Sequence, residues 1–331
     1  MLLVLAAVFA GVLPAMADFS RVWDVILGMS VAHVLLLLGL GAFNLFTTWL
    51  FDATALPGLG LRRAATAAQS SATLANVLPA GAALGVGVSF AMFQSWGFTA
   101  SAATRTVLVT GLYNNLVKLL LPVAALLALA FEGAPGPGLA SAAVVGVLTV
   151  VASVGLLLLV LHSDTLACRV GEGLGVGLSW LRRLVCVAPV RGWGEGAVRF
   201  RHGTAELLRT RWHLLTIASL MSHLAPFIVL LAAMRVVGVH GVTIPEALGA
   251  FAVVRVVSAV PVTPGGLGVV EAGLSGTLIV AGAVSDTAVA AVLVYRILTY
   301  LLPIPVGAFT YFAWLRRPRP ANVEEELLVP R

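Results

Sequence analysis

Charged side chains are scarce in this chain. They make up only 10% of its 331 residues, whereas 60% of the residues are hydrophobic. A soluble domain usually carries about 25% charged residues, so this composition excludes a globular protein with a water-exposed surface. Repeated apolar runs of about 20 residues are typical of transmembrane helices. We therefore predict an all-α, polytopic membrane protein.

Lysine is almost absent, and cysteine is rare. All but one of the 20 basic residues are arginine, the exception being Lys118, and the formal net charge is +6. Because the basic residues cluster in a few segments, we interpret the charge as a signal of membrane topology and exclude nucleic acid as a partner. The two cysteines, Cys168 and Cys186, lie too far apart for a C-x-x-C site. We expect them to be reduced thiols with no metal role.

Motifs of catalysis are missing as well. The sequence contains no H-E-x-x-H, no G-x-S-x-G and no aspartate pair of the kind that binds Mg²⁺–diphosphate. The segment PGGLG at Pro264–Gly268 lacks the Lys-Ser/Thr of a phosphate-binding loop. We therefore expect a transporter rather than an enzyme, with no cofactor and no bound metal.

The apolar runs fall into two kinds, continuous and broken. Continuous runs predict about six full spans, at 1–17, 25–49, 105–130, 139–161, 212–238 and 287–314. Two further regions, 64–97 and 246–282, are interrupted near Pro79 and near Pro261 and Pro264. Arms of about 15 residues reach roughly 22 Å, short of a hydrocarbon core of about 30 Å. We predict two re-entrant helical hairpins, and a pair of tilted full spans remains the alternative for each.

Arginine placement fixes the predicted sidedness. We expect the segment 162–211, with its eight arginines, and Arg316, Arg317 and Arg319 to be cytoplasmic. Counting spans outward from these anchors places Arg62, Arg63 and Arg105 on the same side. The hairpins then enter the membrane from opposite faces. Similar units of opposite orientation form an inverted repeat, a common plan of secondary transporters.

These features divide the chain into four parts. They are a first membrane half (1–161, with the hairpin at 64–97), a basic segment (162–211), a second membrane half (212–317, with the hairpin at 246–282) and a tail (318–331). Residues 1–17 are a retained first span or a signal peptide. The final LVPR is expected to be the remnant of a cleavable tag. The basic segment is an interfacial helix on an anionic cytoplasmic leaflet or an ordinary loop.

The second hairpin carries two charges of opposite sign. Arg255 lies before the Pro261 turn and Glu271 lies after it, so both fall near the hairpin tip and can pair. Either the pair holds the hairpin closed, or Arg255 binds a phosphate headgroup that Glu271 orients. Gly265, Gly266 and Gly268 would let a ligand or another backbone approach closely.

Further polar residues lie inside the spans. Lys118 falls near the middle of span 105–130 beside Asn114 and Asn115, and Arg296 holds a comparable place in the second half. Intramembrane charges of this kind either mark a wet interior face or form a structural ion pair. Because cations outnumber Glu271, the predicted interior suits a phosphate-bearing substrate.

The first hairpin contains only neutral polar residues before its break. Gln69, Ser70, Ser71, Thr73 and Asn76 either hydrogen-bond the hydroxyl groups of a substrate or serve helix packing as small polar residues. We include Asn76 in the predicted site.

The pattern R-x5-P-x2-PGGLG-x2-E, from Arg255 to Glu271, resembles the signature of the lysylphosphatidylglycerol synthase transmembrane region. NVLPAG at Asn76–Gly81 resembles that family's first-half motif. The resemblance implies a bacterial or archaeal cytoplasmic-membrane protein that moves lipids between leaflets. The soluble aminoacyltransferase domain of some members has no counterpart in the short tail after Trp314, so we expect no synthase activity.

The expected function is translocation of a phosphate-bearing lipid. Its substrate could be a phospholipid, an aminoacyl-phospholipid or a polyprenyl-phosphate-linked lipid, and a separate synthase or glycosyltransferase could be a partner. The alternative is a membrane-embedded enzyme or accessory subunit that acts on lipid-linked substrates. Both termini are expected in the cytoplasm.

Overall fold

The computed structural model describes residues 16–78, 81–131, 193–258 and 263–316, with short pieces between residues 144 and 175. Every regular element within these ranges is a helix. Among the described residues, four helical stretches are long and apolar enough to cross a membrane. The predicted all-α polytopic membrane fold is therefore confirmed. The predicted span 1–17 and the tail 318–331 lie almost wholly outside the described residues, and of the predicted span 139–161 only short helical pieces are described, so the number of full spans stays a prediction.

The described helices are labelled here in chain order. They are α1 (Phe19–Leu27), α2 (Val31–Ala55), α3 (Leu61–Val77), α4 (Gly81–Ser95), α5 (Ala100–Phe131), α6 (Trp193–Val237), α7 (Ile244–Val257), α8 (Val269–Val280), α9 (Ser285–Arg296) and α10 (Pro303–Leu315). A short 3₁₀ turn, Pro264–Gly266, lies between α7 and α8, and a π-helical turn, Ile297–Leu301, joins α9 to α10.

The long helices differ from the predicted spans mainly at their ends. The predicted span 25–49 is α2, which starts later because the Ser30 hydroxyl accepts a hydrogen bond from the backbone N–H of His33. The preceding residues form α1, a separate short helix with Val22 buried and Trp23 exposed. The predicted span 212–238 is the last part of the 45-residue helix α6, which also contains residues 193–211. The end of the basic segment is thus a continuation of a membrane helix.

Each predicted hairpin consists of two short helices. The arms α3 and α4 have 17 and 15 residues, and the arms α7 and α8 have 14 and 12. At 1.5 Å per residue none reaches about 30 Å, the thickness of a hydrocarbon core. Pro79 and Pro261, the predicted turn prolines, lie outside the described residues. Pro264 opens the 3₁₀ turn as predicted.

Packing ties the helices into one assembly around the second hairpin. The largest cluster of buried apolar side chains joins α6, α7, α8 and α9 and reaches α2 through Leu37 and α5 through Val117. The first arm of each hairpin also packs on a helix of the opposite half, α3 on α10 and α7 on α5. Large apolar side chains such as Leu35, Ile217 and Phe309 are exposed on the outside. That is the surface expected of helices that face lipid.

Candidate functional site

The PGGLG turn between α7 and α8 depends on glycine. Gly265, Gly266 and Gly268 have φ angles of 59°, 68° and 82°, a left-handed region that other residues rarely adopt. The Thr263 hydroxyl donates a hydrogen bond to the carbonyl of Leu267 across the turn. The chain can therefore reverse within a few residues, and backbone groups that a helix would satisfy need other partners.

Glu271 and Arg296 supply those partners. Glu271 Oε2 accepts a hydrogen bond of 2.6 Å from the N–H of Gly268, and Glu271 Oε1 accepts one of 2.6 Å from Arg296 Nε. Arg296 Nη2 donates to the carbonyl of Gly265 at 3.2 Å. Both side chains are largely buried, with exposures of 3% for Glu271 and 12% for Arg296. This ion pair holds the turn closed.

The expected pairing of Glu271 with Arg255 is therefore wrong. Helix α9 packs against α8, which brings Arg296 beside Glu271 on the first turn of α8. Arg255, on the last turn of α7, lies with its guanidinium 5.2 Å from the ring centre of Phe251. Its Nε is buried and has no hydrogen-bond partner. No acidic side chain in the described ranges pairs with it.

Tyr300 connects the ends of the two hairpins. Its hydroxyl donates a hydrogen bond of 2.9 Å to the carbonyl of Asn76, near the end of α3. Its ring lies 4.2 Å from the guanidinium of Arg296. The ring also lies so close to Gly265 that a Cβ there would come within 2.1 Å of Tyr300 Cε2. One residue of the π-helical turn thus contacts the broken backbone of both halves.

A cavity of about 430 Å³ lies beside this junction. It is formed by helices α2 to α7 and contains two cations, Lys118 and Arg255. Within the part of the chain that the structure describes, Lys118 has no ion-pair partner. The lining residues are Thr48, Phe51, Asp52, Ala68, Ser71, Ala72, Val86, Ser89, Phe93, Thr106, Val107, Thr110, Gly111, Asn114, Lys118, Ser222, His223 and Arg255.

A second cavity of about 240 Å³ lies on the other side of Arg255. Thr48, Ser222 and Arg255 line both cavities, so the two adjoin at these residues. The remaining lining residues of the second cavity are Asn44, Asn76, Pro226, Gly265, Tyr295, Arg296, Thr299 and Tyr300. Together the cavities form a polar region between the two hairpins. Within the described ranges, no group of three or more His, Cys, Asp or Glu side chains could hold a metal ion.

Comparison with models of protein families shows which family this chain belongs to. Residues 2–307 match the model of the family described as the lysylphosphatidylglycerol synthase TM region. The chain belongs to this family. No curated protein matches the chain. Membership confirms the resemblance found in the sequence and makes this a multi-pass membrane protein that acts on lipids.

In this member of the lysylphosphatidylglycerol synthase TM region family, the structure brings most of the predicted site residues together. Asn114, Lys118 and Arg255 line the larger cavity. Asn76, Gly265 and Arg296 line the smaller one.

Four of the predicted site residues do not line either cavity. Glu271 is buried behind Arg296, and Gly266 and Gly268 serve the turn. Asn115 is exposed on the outer face of α5, because it lies one residue, or about 100° of helical rotation, beyond Asn114.

The neutral polar residues of α3 serve helix packing more than the cavity. Gln69, Ser70 and Thr73 are buried. Ser70 Oγ lies 3.1 Å from Thr310 Oγ1, and the Thr73 hydroxyl donates to the carbonyl of Ile304 at 3.2 Å. Among these residues, only Ser71 lines the larger cavity and only Asn76 lines the smaller one.

Several residues that line the larger cavity were not predicted from the sequence, above all Asp52. It is the one acidic residue within the apolar helix α2, a signal that marks functional positions in membrane helices. It lies beyond the predicted span 25–49, near the end of α2. Thr48, Thr106, Thr110 and Ser222 were missed because hydroxyl residues are common in membrane helices. His223 Nδ1 lies 3.0 Å from the carbonyl of Ser219, as in a core histidine, yet His223 also lines the cavity.

Proposed function

We propose that this protein is a translocase that moves a phosphate-bearing lipid between membrane leaflets. The observation that supports it most is the pair of cations, Lys118 and Arg255, in one cavity among apolar helices. Charged groups at membrane depth are costly unless they pair or face water or a ligand. Among the described residues neither cation has an acidic partner, so a phosphate group is a fitting ligand.

The three cations have different tasks in this proposal. Lys118 presents a compact charge, whereas the planar guanidinium of Arg255 can donate two parallel hydrogen bonds to one phosphate. Arg296 is already engaged by Glu271 and by the carbonyl of Gly265. It keeps the turn of the second hairpin in place and therefore positions Gly265 at the smaller cavity.

Reciprocal contacts between the halves support the inverted repeat. The first arm of each hairpin packs on a long helical stretch of the other half, α3 on α10 and α7 on α5, and the first long helices of the two halves, α2 and α6, pack together. The short arms and their turns fit re-entrant hairpins that enter from opposite faces. Rocking of one half against the other would expose the shared cavity alternately to each leaflet.

The proposed activity also implies a membrane, an orientation and a class of lipid. We place the protein in a bacterial or archaeal cytoplasmic membrane with both termini in the cytoplasm, where its arginines face anionic lipid. The lipid is carried without chemical change. It would be a phospholipid, an aminoacyl-phospholipid or a polyprenyl-phosphate-linked lipid made by a separate synthase or glycosyltransferase.

Transfer between leaflets in reconstituted vesicles tests the proposal. The full chain is inserted into vesicles that contain a fluorescent phosphatidylglycerol, and a membrane-impermeant quencher reports the fraction in the outer leaflet over time. Lys118→Ala and Arg255→Ala should each slow transfer roughly tenfold to a hundredfold, because each removes a charge-assisted contact to phosphate. Arg235→Ala is the matched control, since Arg235 is exposed at the end of α6.

Two outcomes would contradict the proposal. One is transfer by Lys118→Ala and Arg255→Ala at the rate of the unaltered protein. The other is a lipid of changed mass in the vesicles after incubation, which would show an enzyme acting on the lipid. Mass spectrometry of the extracted lipids distinguishes the second outcome from simple transport.

A further inference from the structure

Three threonine hydroxyls of the larger cavity already donate their protons to backbone carbonyls of their own helices. Thr106 donates to the carbonyl of Ala102 at 2.9 Å, and Thr110 donates to the carbonyl of Thr106 at 2.9 Å. Thr48 donates to the carbonyl of Asn44 at 3.3 Å. A hydroxyl has one proton and two lone pairs, so each of these groups can only accept a further hydrogen bond.

Asp52 extends this set of acceptors. It lines the same cavity as the three threonines, one helical turn beyond Thr48 on α2. No described side chain or backbone N–H donates a hydrogen bond to its carboxylate. An ionised carboxylate has acceptor sites alone. Thr48, Asp52, Thr106 and Thr110 therefore offer hydrogen-bond acceptors to the cavity.

Two other residues of the same cavity offer the opposite chemistry. Lys118 and Arg255 present only donors and positive charge. Lys118 lies two turns beyond Thr110 on α5, roughly 12 Å by helical rise, and its side chain tilts back toward the helix N-terminus and hence toward Thr110. A single headgroup in this cavity can thus contact both donors and acceptors.

We infer that this cavity selects lipids whose headgroup carries hydrogen-bond donors in addition to the phosphate. The phosphate binds at Lys118 and Arg255, and an ammonium or hydroxyl group of the headgroup donates to Asp52 and the threonines. The inference rests on the proposed function in one respect, that the ligand is a phosphate-bearing lipid. It adds a selecting residue, Asp52, and a chemical requirement on the headgroup.

Lipid binding to the detergent-solubilised full chain, measured by native mass spectrometry, tests this requirement without transport. Two pairs of lipids with identical acyl chains are compared. Phosphatidylethanolamine and phosphatidylcholine differ in the N–H donors of the ammonium group. Phosphatidylglycerol and phosphatidylethanol have the same charge and differ in the headgroup hydroxyls. We expect the first member of at least one pair to bind about tenfold more tightly, the usual effect of one hydrogen bond to a charged group.

Three variants then identify the residues that cause the preference for donor-bearing lipids. Asp52→Asn should abolish the preference for the donor-bearing lipid while leaving phosphate binding in place. Thr110→Val, nearly the same in shape, should weaken the preference severalfold. Asp24→Asn, on the exposed side of α1, is the control with the same chemical change outside the cavity and should keep the preference.

Each outcome of the binding experiment leads to a different conclusion. Selection within the ethanolamine–choline pair identifies an ammonium ligand, and selection within the glycerol–ethanol pair identifies a hydroxyl ligand. Equal binding within both pairs by the unaltered protein overturns the inference, as does an Asp52→Asn variant that keeps the full preference. Selective binding without any leaflet transfer would refute the proposed transport and leave this inference standing. Leaflet transfer without selective binding would refute this inference and leave the proposed transport standing.

Discussion

At the scale of single residues, the Glu271–Arg296 pair has the clearest structural task. Its polar atoms contact the N–H of Gly268 and the carbonyl of Gly265, two backbone groups at the break in the second hairpin. The pair therefore replaces hydrogen bonds that a continuous helix would have made. Removing either partner leaves the other charged and buried without a counterion.

The stability of substituted proteins tests this pair. Glu271→Gln and Arg296→Gln should each destabilise the protein by about 3–5 kcal/mol, because an uncompensated charge stays buried. The double variant should cost less than the sum of the single costs, since the remaining amides are neutral. Denaturant unfolding in detergent, followed by intrinsic fluorescence, measures all three. Additive costs would contradict a direct pair.

The sequence predicted that Lys118, Arg255, Glu271 and Arg296 carry charge into the membrane, but it could not predict how they pair. Arg255 and Glu271 flank the same turn, so their spacing favoured each other. Arg296 lies 25 residues after Glu271, and its contact depends on how α9 packs on α8. Asp52 shows the same limit, because nothing in its local sequence reveals that it faces a cavity shared with Lys118.

At the scale of helices, close backbone approach holds the first hairpin against the second half. The Cα of Gly307 in α10 lies so near α3 that a Cβ would come within 2.1 Å of the carbonyl oxygen of Gln69. The hydrogen bond from Thr73 to the carbonyl of Ile304 lies at the same contact. Small residues that permit such approach are the main means of association between helices in lipid.

Substitution of a glycine by alanine tests this contact. Gly307→Ala should destabilise the protein by about 1–3 kcal/mol, because the new methyl group forces α3 and α10 apart. Gly39→Ala is the matched control: a Cβ at Gly39 in α2 meets nothing within 4 Å, and alanine favours helix by up to about 1 kcal/mol. Thermal unfolding in detergent compares the two. Equal effects of both substitutions would show that α3 and α10 do not pack this closely.

Helix existence was easier to predict than helix boundaries. The broken regions 64–97 and 246–282 each contain two short helices, because proline and glycine signal a break directly. The separate helix α1 and the continuity of α6 from Trp193 were not predicted. In α6 the arginines and apolar residues alternate without a break signal, so charge alone suggested a boundary that the backbone does not have.

At the scale of the whole molecule, the arrangement of the halves determines what the cavity can do. Each half contributes a hairpin whose end reaches Tyr300, and the cavities lie between these ends. If the halves are inverted, the polar region connects to one leaflet through the first half and to the other through the second. Sidedness is therefore the property on which alternating access depends.

Labelling of single cysteines with a membrane-impermeant maleimide shows on which side of the membrane each position lies. The experiment uses a chain whose native cysteines are replaced by alanine. Arg62→Cys and Arg316→Cys should react only from the cytoplasmic side, and His240→Cys only from the opposite side, since arginine-rich ends stay in the cytoplasm. Val77→Cys, at the end of α3, should react from neither side if this hairpin is re-entrant, because a 17-residue arm ends inside the hydrocarbon core. Labelling of Val77→Cys from the side opposite Arg62→Cys would show a fully spanning pair instead. Labelling of Arg62→Cys and His240→Cys from one side would remove the inverted repeat and, with it, the route between leaflets.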